Sequence, residues 1–302
     1  MVATIAQIGR VFSVRISGAD TALRRARSTL ACVRPVADQT ILVTGATDGL
    51  GRELARELAQ RGATVLLHGR DKAKAEEARR SITEATGNDR IEVLIADLAS
   101  MGAVRGLAAQ VRDATDGLHA LVNNAGIAGP PRTVTEDGVE LHLAVNYLSH
   151  FLLTKELFPL LLRSAPSRIV NVSSIGQTPI DFDDPMMERG YDPMRAYCQS
   201  KLAQISFTFE LAGHLRDTEV TVNALHPATL MDTKMVRDYF GMPRTSVEEG
   251  TEATLRLVTD PSLDGVSGRY FDGLHESGAH AQANDRDARK QLWELSEQLT
   301  AD

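Results

Sequence analysis

Cysteine is nearly absent. Only Cys32 and Cys198 occur among 302 residues, too few for a disulfide framework, which fits a reducing compartment and a cytoplasmic location. Long apolar runs are missing too. None approaches the roughly 20 residues that a membrane-spanning helix needs, so no integral membrane segment is expected. Nor is there a basic excess: the net charge of −7 argues against a nucleic-acid partner. The eight histidines show no ligand-like spacing with cysteine or carboxylate, so no metal is expected. His142 and His150 read as ordinary helix residues. Internal repeats and low-complexity linkers are also lacking. What remains, 43% hydrophobic and 24% charged, is the profile of an ordinary soluble globular protein.

The first 38 residues differ from the rest. They contain no lysine and no glutamate, only two aspartates (Asp20 and Asp38), and six arginines: Arg10, Arg15, Arg24, Arg25, Arg27 and Arg34. Such acid-poor, Arg- and Ser-containing starts occur in organelle transit peptides, which makes an organelle the alternative location. No clean amphipathic period supports that reading. Residues 1–38 are therefore taken as an Arg-rich extension, disordered or reflecting a start assigned too far upstream. Residues 39–302 are taken as the folded domain.

From Thr40 onward, short apolar runs alternate with helical stretches: ILVTG (41–45), TVLLHG (64–69), IEVLIAD (91–97), ALVNNAG (120–126), RIVNVSS (168–174), VTVNALHP (220–227) and a late GRYF (268–271). Strands that are apolar throughout belong in a sheet covered on both faces. Alternation with helices calls for parallel βαβ units with right-handed crossovers. The expected fold is α/β: a single Rossmann-type, doubly wound parallel sheet of about seven strands with helices on both faces.

TGATDGLG (44–51) lies between the first strand and an amphipathic helix. Gly45, Gly49 and Gly51 let the backbone turn tightly and approach a pyrophosphate, whose charge then faces the helix N-terminus. A P-loop would need Gly-Lys-Ser/Thr at its end, so a dinucleotide is favoured over a nucleoside triphosphate. An NAD site usually places an acidic residue at the end of the second strand. Here that strand ends in HGRD, with Arg70 suited to a 2′-phosphate, although Asp71 and Asp48 lie close by. NADP(H) is favoured, with NAD(H) as the alternative.

YCQSK (197–201) places Tyr197 and Lys201 on one face of a predicted helix. Alone, this pattern is common and uninformative. In company it is not. TGATDGLG, the acid Asp97, NNAG (123–126), Asn146, Ser174, Tyr197 and Lys201 occur in the order found in the short-chain dehydrogenases/reductases, and the chain resembles that family over about residues 39–300. The resemblance implies an oxidoreductase acting on CH–OH or C=O groups, with Asn146, Ser174, Tyr197 and Lys201 as its catalytic set. It implies cofactor contacts from Gly45, Thr47, Asp48, Gly49, Leu50, Arg70, Asp97, Leu98, Asn124, Ala125, Gly126, Tyr197, Lys201, Pro227 and Thr229.

A free tyrosine has a pKa near 10 and is a poor base at neutral pH. A lysine ammonium about 4 Å away, at an effective dielectric near 20, favours the phenolate by roughly 4 kcal/mol before desolvation. That is at most about three pKa units. The family implies that Lys201 also holds the nicotinamide ribose, that Ser174 hydrogen-bonds the substrate oxygen, and that Asn146 anchors a water leading from Lys201 to solvent.

Tyr197 follows Ser174 by 23 positions. That insert, with GRYFDG and LWELSEQL (292–299), resembles the retinol-dehydrogenase-like and protochlorophyllide-reductase-like branch, implying a lipophilic aldehyde or ketone. Met186, Met187, Tyr191 and Met194 suit an adaptable apolar wall, with Ser174, Met186 and Tyr191 as the substrate contacts. The usual Pro-Gly after the sixth strand is Pro227-Ala228 here, and a substrate lid is expected over roughly residues 229–250. Reduction of a C=C bond on the same scaffold, or dinucleotide sensing without turnover, are the alternative functions. The family often pairs through its long helices, here about 137–163 and 195–216, which leaves homodimer and homotetramer open.

Overall fold

The computed structural model describes residues 34–301. Cys32 and nearly all of the Arg-rich extension lie outside them. In chain order the elements are β1 (Thr40–Val43), α1 (Gly49–Gln60), β2 (Thr64–Gly69), α2 (Lys72–Thr86), β3 (Ile91–Ile95), α3 (Met101–Ala114) and β4 (Ala120–Asn123). Next come α4 (Leu141–Leu143), a π turn (Ala144–Leu148) and α5 (Ser149–Arg163), which form one continuous helical run. They are followed by β5 (Ser167–Val172), α6 (Pro193–His214), β6 (Val220–His226), α7 (Lys234–Tyr239), α8 (Val247–Thr259), β7 (Tyr270–Asp272), β8 (His275–Ser277), α9 (Ala281–Asn284) and α10 (Arg286–Leu299).

The strands form one eight-stranded sheet in the order β3-β2-β1-β4-β5-β6-β7-β8. Every pairing is parallel except the last, where β8 runs antiparallel to β7. The seven expected parallel strands are present. The eighth is a three-residue edge strand, exposed throughout, so it has no apolar pattern from which to be read.

Alternate strand residues feed two cores, as the period of two requires. Leu42, Leu66, Leu121 and Ile169 face the layer containing α3, α5 and α6. Ile41, Val43, Val65, Val122 and Val170 face the layer containing α1, α2 and α8. Chain order turns back between β1 and β4, and such a switch point opens a crevice at the carboxyl ends of parallel strands.

The helix carrying Asn146 is deformed where that residue sits. Ser149 N–H bonds the carbonyl of Ala144, five residues back, so one extra residue is accommodated in the turn. An aromatic cluster braces the deformation. Phe151 meets Phe207 at 5.4 Å and Trp293 at 5.2 Å between ring centroids, both edge-on. Tyr147 Oη and Ser296 Oγ are 2.6 Å apart, tying α10 to the π turn. Among the described residues, no helix is long and apolar enough to cross a membrane.

Phe151 is fully buried at the centre of this cluster. Phe151→Ala is expected to cost about 3–5 kcal/mol of stability, from lost burial plus the cavity left behind. Urea titration followed by Trp293 fluorescence measures it.

Candidate active site

Four segments meet at the crevice. The loop after β1 is held by NNAG after β4. Thr44 Oγ1 accepts from the amides of Asn124 (2.9 Å) and Ala125 (3.0 Å), and Asn124 Nδ2 donates to the carbonyls of Thr44 (2.8 Å) and Gly45 (3.2 Å). This clasp leaves no room for a side chain at Gly51, whose Cβ would stand 2.3 Å from the Gly45 carbonyl oxygen. The Asp48 carboxylate accepts from the Gly49 amide at 2.8 Å. The next amides of the α1 N-terminus, at Leu50 and Gly51, have no intrahelical acceptor and suit a phosphate.

His68, near the end of β2, fixes the same loop from the other side. Gly45 N–H donates to its Nδ1 (3.2 Å), so its Nε2 carries the proton and donates to the Ala96 carbonyl (3.1 Å). Burial lowers its pKa to about 4, so the ring stays neutral. Arg70 follows, exposed. Asp71 does not compete with it for the same ligand group, because its carboxylate caps α2 by accepting from Lys74 N–H (3.1 Å). Asp97 is exposed and accepts from Ala99 N–H, whereas the side chain of Leu98 lies in the core. Thr47 lies over Gly69, where an added Cβ would meet it at 2.4 Å.

Beyond the clasp, α6 and the π turn supply the remaining groups. Tyr197 stands in the second turn of α6, which begins at Pro193 behind an Asp192 cap. Ser174 Oγ accepts from Gly176 N–H (3.0 Å) and directs its own proton to the Tyr197 phenol. Ser173 is occupied elsewhere, donating to the Lys201 carbonyl at 2.7 Å. Asn146 Oδ1 accepts from Ile127 N–H (2.8 Å), while its Nδ2 donates to the Ile127 carbonyl (3.1 Å) and Ser200 Oγ (2.9 Å). Gly126 keeps a gap open here: a Cβ there would lie 3.3 Å from Asn146 Oδ1 and 3.5 Å from Lys201 Nζ. The glycine loop and the unpaired amides at the start of α1 are the groups that would hold the pyrophosphate of a dinucleotide.

The electrostatics correct one expectation. Lys201 Nζ is 5.8 Å from the centre of the Tyr197 ring and donates instead to the Val172 carbonyl and to Gln204 Oε1, both at 2.9 Å. Burial dominates for both partners. It pushes Tyr197 up to about 12, partly offset by the Ser174 hydrogen bond, and pulls Lys201 down to about 7. The pair alone therefore does not give a phenolate at neutral pH. It gives a protonated phenol beside an ammonium held near its midpoint.

The lid closes over this group. Its helix α7 is capped by Thr233, which accepts from Val236 N–H and lies against Gly49. Phe240 packs edge-on against Tyr197 at 5.4 Å, and Tyr239 lies over Gly129. Pro227 is buried and Thr229 exposed, with Thr229 Oγ1 3.0 Å from His226 Nε2. The insert between Ser174 and α6 is pinned through its backbone: Arg132 donates to the Met187 carbonyl and Gln199 to that of Pro185. Within the insert, Met186 packs against the core and Met194 is exposed. The Tyr191 hydroxyl is 3.2 Å from both Glu140 Oε1 and His142 Nδ1, so its polar end belongs to a buried Glu–His pair. His142 and His150 are both buried among polar partners rather than being plain helix residues.

Tyr197, Lys201, Ser174, Asn146, Gly126 and the glycine loop are thus gathered in one crevice. Thr44, His68, Gln204 and Phe240 join them without having been singled out from the sequence, and Thr233 comes with the loop after Pro227.

A family model described as short chain dehydrogenase matches residues 39–243. Retinol dehydrogenase 13 of Mus musculus is 39% identical over 278 residues, covering 86% of this chain and 83% of that protein. Retinol dehydrogenase 14 of Homo sapiens is 40% identical over 287 residues, covering 86% and 85%. Among solved structures, an uncharacterized protein from Mycobacterium Paratuberculosis superposes with a TM-score of 0.74 at 34% identity, covering 89% of this chain and 96% of that one. A short chain dehydrogenase from Shigella flexneri, complexed with NADP, gives a TM-score of 0.65 at 28% identity, covering 79% and 98%.

Two outcomes are expected of the crevice. Gly51→Ala forces the clasp apart and should weaken dinucleotide binding by about tenfold or more, read by fluorescence titration. Between pH 6.5 and 4 the unfolded chain takes up a proton on His68 that the folded chain refuses, so stability from this ring is full above that window and lost as pH falls through it. The loss approaches about 1.4 kcal/mol per pH unit, and His68→Gln should flatten the slope in urea titrations at pH 7, 6 and 5.

Proposed function

This chain belongs to the short chain dehydrogenase family, and from that premise we propose that it is an NADP(H)-dependent reductase of lipophilic aldehydes or ketones. One observation carries the reading: Ser174, Tyr197, Lys201 and Asn146 converge beside the gap that Gly126 keeps open. A bound nicotinamide supplies the hydride. The chain's own residues then have to hold the carbonyl, stabilise its oxygen and deliver one proton.

Ser174 is placed for the oxygen: its Oγ accepts from Gly176 N–H and hydrogen-bonds the Tyr197 phenol, so it stands beside the proton donor. Tyr197 delivers the proton. A phenol with a pKa near 12 stays protonated at neutral pH, yet it is far more acidic than the alcohol formed when it quenches the alkoxide. Lys201 lies behind it, poised near neutrality to help restore the charge balance. In the oxidising direction the same phenol must first lose its proton, and the cofactor pool sets which direction runs.

Arg70 supports NADP over NAD. It stands exposed after β2, and the neighbouring Asp71 is engaged in capping α2. The solved relatives from Shigella flexneri and Escherichia coli that were complexed with NADP and NADPH point the same way. A lipophilic substrate is supported by Phe240 against Tyr197, by exposed Ile175 directly after Ser174, and by the retinol dehydrogenase relatives. A soluble, reducing compartment fits the scarcity of cysteine.

Two measurements test this reading. With NADPH and a panel of hydrophobic carbonyls, Tyr197→Phe should lower kcat by roughly 10²–10⁴-fold while leaving NADPH affinity close to wild type. Binding without turnover in the wild type would instead favour C=C reduction or sensing. Arg70→Ala should weaken NADPH by about 10–100-fold and leave NADH little changed.

A further inference from the structure

Lys201 is 4% exposed, and among the described residues no anionic side chain offsets its burial. Its ammonium therefore depends on neutral acceptors. One is the Val172 carbonyl, fixed by the sheet. The other is Gln204 Oε1, on a side chain whose amide can turn over and present its NH₂ instead. What prevents that is His150. The Gln204 amide lies between the two groups, 2.9 Å from Lys201 Nζ on one side and 2.9 Å from His150 Nδ1 on the other. Because an ammonium can only donate, the atom facing it must be oxygen. Gln204 Nε2 then faces His150, and Nδ1 must accept. The ring is thereby fixed as the neutral tautomer with its proton on Nε2.

That Nε2 is buried and has no hydrogen-bond partner among the described residues. Such a group is costly in a protein core, so packing alone does not account for a histidine here. We propose that Gln204 and His150 are positioning residues for Lys201: His150 locks the Gln204 amide with its oxygen toward the ammonium, and that oxygen keeps Lys201 charged and aimed at the reaction site. A charged His150 would reverse the arrangement, donating to Gln204 and turning an NH₂ toward the ammonium.

The surroundings agree. The titratable and charged groups near Lys201 and His150 are Tyr197 on the same helix as the lysine, His150 on α5 and His68 on β2; Asn146 of the π turn and Ser174 after β5 are neutral. Burial first, then the Lys201 ammonium, hold His150 down to about 3 against the opposing pull of the Asn146 backbone carbonyl, so the ring is neutral near pH 7.

This role rests on Lys201 working as proposed above, so its test uses a readout that needs no turnover. The Lys201 titration is followed by NMR with ¹³Cε-labelled lysine, the resonance being assigned through Lys201→Arg. Gln204→Met should lower the midpoint by about one to two pH units, and Gln204→Glu, which keeps an acceptor and adds charge, should raise it. His150→Leu frees the amide and should lower it by a smaller amount. In turnover, the alkaline limb of kcat/KM should move with the midpoint, to lower pH in Gln204→Met and to higher pH in Gln204→Glu. Thermal melting and NADPH titration confirm that each variant is folded. A midpoint that stays in place in folded Gln204→Met, or fails to rise in Gln204→Glu, overturns the proposal. A wild type that reduces no carbonyl overturns the functional reading but leaves the NMR result decisive for this one.

Discussion

An ammonium placed inside a protein must find its acceptors there, because water no longer supplies them. Lys201 imposes that condition on everything around it. The end of β5 gives it the Val172 carbonyl, and its own helix gives it Gln204. Gln204 in turn accepts from Thr208 through its main chain, Thr208 accepts from Asn171, and Asn171 accepts from Asn123, which also donates to Thr154. A polar seam thus runs between the sheet and helices α5 and α6, through a region that is otherwise aliphatic and aromatic. Its members are nearly all buried, so each has to be paired by the others.

The cofactor side of the crevice is built on the same principle with different parts. There the constraint is space. Thr44 and Asn124 clasp the glycine loop, His68 receives its first amide, and Gly126 leaves the space between this clasp and the lysine. The two halves meet at the strand ends where the sheet order reverses. The π turn lets Asn146 reach both, bonding Ile127 just past the NNAG segment and Ser200 beside Lys201.

Much of this was legible in the sequence, for identifiable reasons. TVLLHG (64–69) coincides with β2, and the other parallel strands fall within three residues of their apolar runs, because a strand buried on both faces has to be apolar throughout. Motifs fixed by backbone geometry or by chemistry shared across a family were equally visible: the glycine loop, NNAG, Ser174, Tyr197 and Lys201. Partners of those residues were not. His68 passes for one more position in a strand, and His150 and Gln204 sit 54 residues apart on helices whose facing is set only by packing. The tyrosine's acidity was misjudged because spacing along a helix fixes which face a group occupies. It fixes neither the final distance nor the degree of burial. The polar end of Tyr191 was hidden for a related reason: its partners, Glu140 and His142, lie about 50 positions earlier.

The seam has a consequence for how this chain drifts under mutation. A buried cation supported only by neutral acceptors is a net burden on folding, and an apolar side chain of similar length is often better tolerated at such a place. Exchanging Lys201 for methionine would thus relieve the core and, on the function proposed above, remove the chemistry. Stability and activity pull in opposite directions at this residue, so selection for a well-folded protein alone would erode it. A descendant of this fold released from turnover should lose its lysine early and keep the glycine clasp, becoming a sturdier protein that still holds its nucleotide.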